Sequence, residues 1–241
     1  MIINDFYTFI VSSTINAVKK DGVNIIDNQK RFLETVETLD SIHRKIPDVR
    51  IILIDNSIES LTEEQKNIIK EKVDIFKEIQ HNIFTKFVNE IGSKGMGEAY
   101  LMYEAIKIIK ENNLVGKRIF KISGRYRLAD SFDISYFEKP ELFSKYAFKI
   151  NQWDVSTDNF KTNRERVVYF ETRLWSFCAS LFEEYEKIML KIFYIMASNI
   201  GRPLCNWEIG HWQNIPINKV HEIEVSHVEG ITSDTGVYKF E

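Results

Sequence analysis

Between Arg118 and Leu128 the chain reads RIFKISGRYRL, and the change of character within it is the strongest chemical signal in the sequence. Ile119 to Ile122 is a short apolar run of the kind buried in a parallel sheet. Ser123-Gly124-Arg125-Tyr126-Arg127 then supplies a hydroxyl, a flexible glycine and two guanidinium groups. In open α/β sheets ligands gather at the carboxyl ends of strands, so this edge is expected to meet an anion such as a diphosphate. A solvated strand end with surface ion pairs explains the same residues without a ligand.

Three further stretches carry chemistry. Gly92-Ser93-Lys94-Gly95-Met96-Gly97-Glu98 is a glycine-rich turn opening a helix, where backbone N–H groups suit phosphate. It lacks the spacing of a P-loop or a dinucleotide fingerprint, and a tight turn with a helix-favouring glutamate explains it equally well. Asp55, after the run Val49 to Ile54, is placed to accept hydrogen bonds from a ribose or a base. Glu208 and His211 lie three residues apart, on one face if helical, flanked by Trp207 and Trp212, whose rings suit stacking on a sugar. Such a Glu/His pair is more often structural than catalytic unless a cleft holds it.

The elements that must position these groups follow from pattern. Phe6 to Val11 reads as the first strand, ended by Ser12-Ser13-Thr14. Asp27 or Asn28 caps a helix with Phe32, Val36, Leu39 and His43 at helical spacing, stopped by Pro47. Thr62-Glu63-Glu64-Gln65 opens a second helix, and Ile75 to Ile79 is a weaker strand. Strands alternating with helices predict an α/β fold with a mainly parallel central sheet and helices on both faces. Beyond Ala129 the pattern loosens: Asn151 to Asn163 is polar, with Asp154 and Asp158 read as solvated loop. Val167 to Phe170 and Arg173 to Phe177 look like strand, and Phe182 to Ala197 is an apolar helix. Ile223 to Val225 and Val237 to Phe240 are strand-like around a polar loop that suits a mobile lid or a surface hairpin.

Composition narrows the partners. The 241 residues are 44% hydrophobic and 28% charged, with 17 Phe and 10 Tyr, enough for a substantial core. A net charge of −3 gives no general field for a nucleic-acid backbone, so nucleic acid is not expected as a partner. Two cysteines, Cys178 and Cys205, have neither metal-clip spacing nor the number for a disulfide framework, which fits reduced thiols in a cytoplasmic protein. The N-terminus has no basic leader and no run approaches a membrane span; peripheral membrane contact remains compatible with this.

Taken together, the markers resemble the nucleotide-diphospho-sugar glycosyltransferases of GT-A fold, especially small capsule, lipopolysaccharide and virus-encoded types. The likeness rests on Ser12-Ser13-Thr14, Ile54-Asp55-Asn56-Ser57, Lys94-Gly95-Met96-Gly97-Glu98, Lys121-Ile122-Ser123-Gly124-Arg125-Tyr126, Thr172-Arg173-Leu174-Trp175-Ser176, and Glu208 with His211. It implies a Rossmann-like single domain over 1–241, with a donor half (1–128) and an acceptor half (129–241) ending in the lid-like loop. It also implies a hexosyl- or pentosyltransferase that moves a sugar from a nucleotide-diphosphate donor to a glycan or other hydroxyl acceptor in glycan biosynthesis.

By the same resemblance Ser12, Thr14, Asp55, Lys94, Glu98, Ser123, Gly124 and Arg125 bind the donor. Arg173, Trp175 and Trp207 line the acceptor pocket, and Glu208 or His211 is the general base. The family's Asp-x-Asp, which holds a manganese or magnesium ion on the diphosphate, is replaced here by Ser-Gly-Arg. Arg125 or Arg127 would then neutralise the diphosphate directly. Asp130 and His227 are the remaining weak metal candidates. Two other readings stay open: a non-catalytic nucleotide- or carbohydrate-binding protein of the same fold, and a sugar-phosphate nucleotidyltransferase. The second is disfavoured by SSTINAVKK where a glycine-rich, Arg-containing loop would follow the first strand.

Overall fold

The computed structural model describes residues 2–17, 27–79, 94–156, 164–198, 207–225, 227–231 and 238–240. Strand β1 (Asn4–Ser13) leads to helix α1 (Asn28–Lys45), β2 (Val49–Asp55), α2 (Glu63–Lys70) and β3 (Ile75–Glu78). Helix α3 (Lys94–Glu111) precedes β4 (Gly116–Ser123) and the short β5 (Tyr126–Leu128). After two 3-10 turns come β6 (Tyr146–Phe148), β7 (Ile150–Ser156), β8 (Arg164–Phe170) and β9 (Leu174–Cys178). Helices α4 (Phe182–Ser198) and α5 (Trp207–Asn214) then lead to β10 (Val220–Glu222), β11 (Val228–Ile231) and β12 (Tyr238–Phe240).

Seven strands form the central sheet in the order β10-β6-β9-β4-β1-β2-β3. The β1, β2, β3 and β4 group is parallel, as the alternation of strand and helix predicts. Strand β9 runs antiparallel to both β4 and β6, which the sequence pattern does not reveal. Helices cover both faces. One core holds Ile10, Ile119, Trp175 and residues of α3, α4 and α5; the other holds Phe9, Val11, Phe120 and residues of α1. This is strand alternation made visible, since neighbouring residues of β1 and β4 serve opposite faces.

Local signals set the helix starts. The Asp27 side chain accepts from Lys30 N at 2.9 Å to cap α1, and Thr62 and Gln65 form a reciprocal capping box on α2. His43, expected in the apolar stripe of α1, instead stands exposed, its Nε2 hydrogen-bonded to Lys72 O. The polar 151–163 stretch was expected as loop, yet its first half belongs to β7, paired antiparallel with β8. Cross-strand pairing there outweighs composition. The strand expected at 223–225 lies at Val220–Glu222, beside β6. A separate three-stranded sheet, β12-β11-β5, carries the chain away from Ser123-Gly124 and packs against α1. The lid-like loop at 232–236 lies outside the described residues.

Candidate functional site

Parallel register brings three strand ends side by side. Ser12 pairs with Ser123 across β1 and β4, and Ser13 pairs with Asp55 across β1 and β2. Because successive side chains alternate, Ser12 and Ser123 face the α3 side of the sheet while Ser13 and Asp55 face the α1 side. The donor-binding residues expected from the sequence are thus divided between two chemically different places.

On the α3 side lies a buried polar cluster. The Lys121 ammonium, 1% exposed, forms an ion pair with Glu98 and donates to Ser123 Oγ (2.9 Å) and to the Thr172 carbonyl (2.7 Å). These are three acceptors for its three N–H donors. Ser12 Oγ donates to Glu98 Oε1 at 2.8 Å. Glu208, at the first turn of α5, accepts from Thr172 Oγ1 at 3.3 Å. Burial, reinforced by the nearby Glu98 charge, raises its carboxyl pKa above the usual range. Gly95 makes the approach of α3 to α5 close enough for this: a Cβ there would stand 3.2 Å from Trp207 N.

On the α1 side, Asp55 is fully enclosed and both its oxygens are used. Oδ2 accepts from Ser13 Oγ (2.5 Å) and Ile15 N (3.0 Å), and Oδ1 from Ser57 N (2.8 Å). Rather than facing a ligand, Asp55 clasps the loops after β1 and β2. Thr14 joins the clasp through Asn56, and the buried Arg31 guanidinium donates to Thr14 O at 3.1 Å. Gly124 turns the chain tightly here, its N–H bonded to Ser12 O at 2.8 Å; a Cβ would stand 3.1 Å from that of Ser13.

Several expected residues are placed otherwise than the sequence suggests. His211 lies in the interior, fully buried among Trp207, Trp175 and Tyr185 rather than in a cleft. Its Nδ1 donates to Trp207 O (2.9 Å), which leaves Nε2 to accept from Tyr185 OH (3.0 Å). Burial drives its pKa down to about 3. With both nitrogens engaged and no exposed surface, it packs and orients α5 instead of accepting a substrate proton. Trp175 stacks on Phe148 with centroids 5.0 Å apart, and Trp207 is equally enclosed, so both indoles are core rather than pocket lining. Each Nε1 is buried without a hydrogen-bond partner among the described residues.

Arg173 pairs with Glu171 and lies 5.4 Å over the Tyr126 ring, on which Arg125 also rests at 5.9 Å. Arg127, one of the two guanidinium groups the sequence reading offered to a diphosphate, is committed to Glu37 and Glu229, which push its pKa up. Arg125 lines a groove against α1 with Lys30 and Glu34. The backbone of Lys94 opens α3, beside the Glu98 turn.

The metal candidates do not converge. Asp130 is fully exposed beside Lys45, and His227 contacts Ser131 Oγ and the Phe132 edge. Among the described residues no group of three or more His, Cys, Asp or Glu side chains could hold a metal ion. The carboxylates at the strand ends do not gather around one point: Asp55 lies on the α1 face with both oxygens held by Ser13, Ile15 and Ser57, while Glu98 lies on the α3 face paired with Lys121 and Ser12, an arrangement that does not fit a divalent cation.

Lys121 and Thr172 stand in the stretches that carry the resemblance, but the sequence reading gave neither a role, and the structure joins them to the polar cluster. The available signal was a lysine inside an otherwise apolar strand run, since a buried lysine requires acceptors around it.

Neither a protein-family model nor a curated protein matches the sequence. Solved structures do match. Core-mannan synthase A (CmsA/Ktr4) from Aspergillus fumigatus, in a Mn/GDP form, aligns with a TM-score of 0.53 at 11% identity over 92% of this chain and 73% of that one. The bifunctional glycosyltransferase WbbM aligns at 0.52 and 8% identity, over 92% of this chain but 39% of its own. A 4-diphosphocytidyl-2C-methyl-D-erythritol synthase aligns at 0.51 and 10% identity, over 93% and 92% of the two chains. The strand order, the helices on both faces and these likenesses together show a Rossmann-like α/β chain of GT-A-like fold.

Proposed function

We propose that this protein is a glycosyltransferase that takes a sugar from a nucleotide-diphosphate donor and passes it to a glycan or other hydroxyl acceptor. The observation that carries the reading is the cluster of Lys121, Glu98, Ser12, Ser123, Thr172 and Glu208. It is a costly polar assembly, buried where α/β sheets present ligands. Residues 1–128 form the donor half and 129–241 the acceptor half, with Glu208 brought to the strand ends through its hydrogen bond from Thr172.

In this reading Glu208 is the general base. A carboxylate whose pKa is raised by burial is a stronger proton acceptor than one in water. It takes the acceptor O–H proton as that oxygen attacks the anomeric carbon. The bond from that carbon to the phosphate oxygen breaks, and the electron pair leaves with the nucleoside diphosphate. Ser12, Glu98 and Ser123 face the donor sugar and phosphate from the α3 side, held in place by Lys121. Arg125 supplies positive charge to the leaving diphosphate from the α1 side, a task a guanidinium performs through paired hydrogen bonds. No step is routed through a metal.

The test is release of free nucleoside diphosphate from UDP-, GDP- and dTDP-sugars in the presence of mixed hydroxyl acceptors. Turnover that needs Glu208 supports the reading. Stabilisation by a donor without release indicates a binding protein.

One observation favours a second reading: the cytidylyl-type synthase matches over nearly the whole of both chains. Pyrophosphate release from a nucleoside triphosphate and a sugar phosphate, with none of the transfer described above, would establish a nucleotidyltransferase instead.

A further inference from the structure

Helix α1 and the small sheet leave a groove of about 260 Å³ between them, lined by Lys30, Glu34, Glu37, Arg125, Arg127, Glu229 and Gly230. Arg127, Glu37 and Glu229 are joined by ion pairs and form one wall. Across from them, Glu34 carries a buried carboxylate oxygen, Oε2, with no hydrogen-bond partner. An orphaned buried acceptor is costly, and no donor for it is found among the described residues. Burial accordingly raises the Glu34 pKa, against the opposing pull of Arg125 and Lys30.

We propose that this groove is a second ligand site, a subsite for one neutral, hydroxyl-bearing sugar ring. The lining mixes acceptors and donors in equal number, three carboxylates and three cationic side chains. A simple anion would be repelled by the first set and a simple cation by the second. A sugar hydroxyl is both donor and acceptor, so it can give its proton to Glu34 and accept from Arg125 or Lys30 in the same pose. The volume lies just below the ~300 Å³ at which drug-sized pockets begin, room for a single ring. No aromatic side chain is among the lining residues, and Tyr126, over which Arg125 lies, is buried and offers no open face, so recognition is by hydrogen bonds. The groove lies on the opposite face of the sheet from the Lys121 cluster and shares Arg125 with the donor site proposed above; Glu34, Lys30 and Gly230 take no part in that reading, so the two are tested separately.

The experiment is an amide NMR titration of the full-length protein with methyl glycosides of glucose, galactose and mannose, and separately with UDP-glucose and inorganic phosphate. At least one methyl glycoside is expected to shift the amides of Glu34, Arg125 and Gly230 while leaving Ser12 and Ser123 unmoved. Glu34→Gln is expected to weaken that response about tenfold or more, the effect of one hydrogen bond to a charged group. Lys30→Ala should weaken it less. The variant's own amide spectrum verifies its fold.

The inference is overturned by silence from all three glycosides, by a response unchanged in Glu34→Gln, or by phosphate shifting these amides where glycosides do not. It also falls if UDP-glucose moves them and free glycosides do not, since the groove would then belong to the donor. Nucleoside diphosphate release, measured on the same preparation, decides the transferase reading separately.

Discussion

Lys121 and Glu98 pair their charges inside the protein, the lysine projecting from the middle of β4 and the glutamate from the second turn of α3. The pair ties helix to sheet at the level of Ser12 and Ser123, and both serines hydrogen-bond to it.

Removing the lysine alone should therefore be expensive. Lys121→Met leaves the Glu98 charge, Ser123 Oγ and the Thr172 carbonyl without their donor, and we expect a loss of about 3 kcal/mol in urea unfolding with an unchanged m-value. Lys121→Met combined with Glu98→Gln should recover part of it, because no unpaired charge is then left. A double variant as unstable as the single one would mean the pair contributes little as a pair.

Glu208→Gln should separate chemistry from stability. Turnover is expected to fall by about 10²-fold or more with little change in donor affinity, the signature of a group that acts in the transition state. Stability should move the other way. The Glu208 carboxyl has a folded pKa above its ordinary 4.5, so its charged form penalises the native state as pH rises past that value. The variant should thus melt higher than the parent at pH 7, and the advantage should vanish below about pH 4.5.

His211 gives the opposite pH signature. Its pKa is depressed from 6.5 to about 3, so the stability of its neutral form is whole above pH 6.5 and drains away as pH falls toward 3. The slope is at most about 1.4 kcal/mol per pH unit. In His211→Gln this part of the acid destabilisation should disappear from denaturation curves taken across that range. A loss of turnover at pH 7 without loss of stability would return the residue to the chemistry.

Asp55→Ala should open the clasp between the first two strand ends. Three donors lose their acceptor, for an expected cost of about 3 kcal/mol, while Asp55→Asn, which keeps one carbonyl oxygen, should cost less. Equal losses would show that the charge, rather than the hydrogen bonds, holds the loops.

The parallel β1 to β4 core and the caps of α1 and α2 were legible in the sequence, because apolar runs of strand length and Asp or Thr at a helix start are local signals. That Ser12 and Ser123 lie at or next to strand ends was legible too, but that they pair across β1 and β4 was not. Which face each side chain takes, and what covers it, depends on residues far apart in the chain. That is why Glu98, Lys121 and Thr172 met only in three dimensions, and why His211 and Trp175 went to the core. Chain order alone determined that polar groups gather at the strand ends. Only tertiary packing decided which of them are enclosed and paired and which stand open to a ligand, because burial belongs to the assembled layers and not to any one segment.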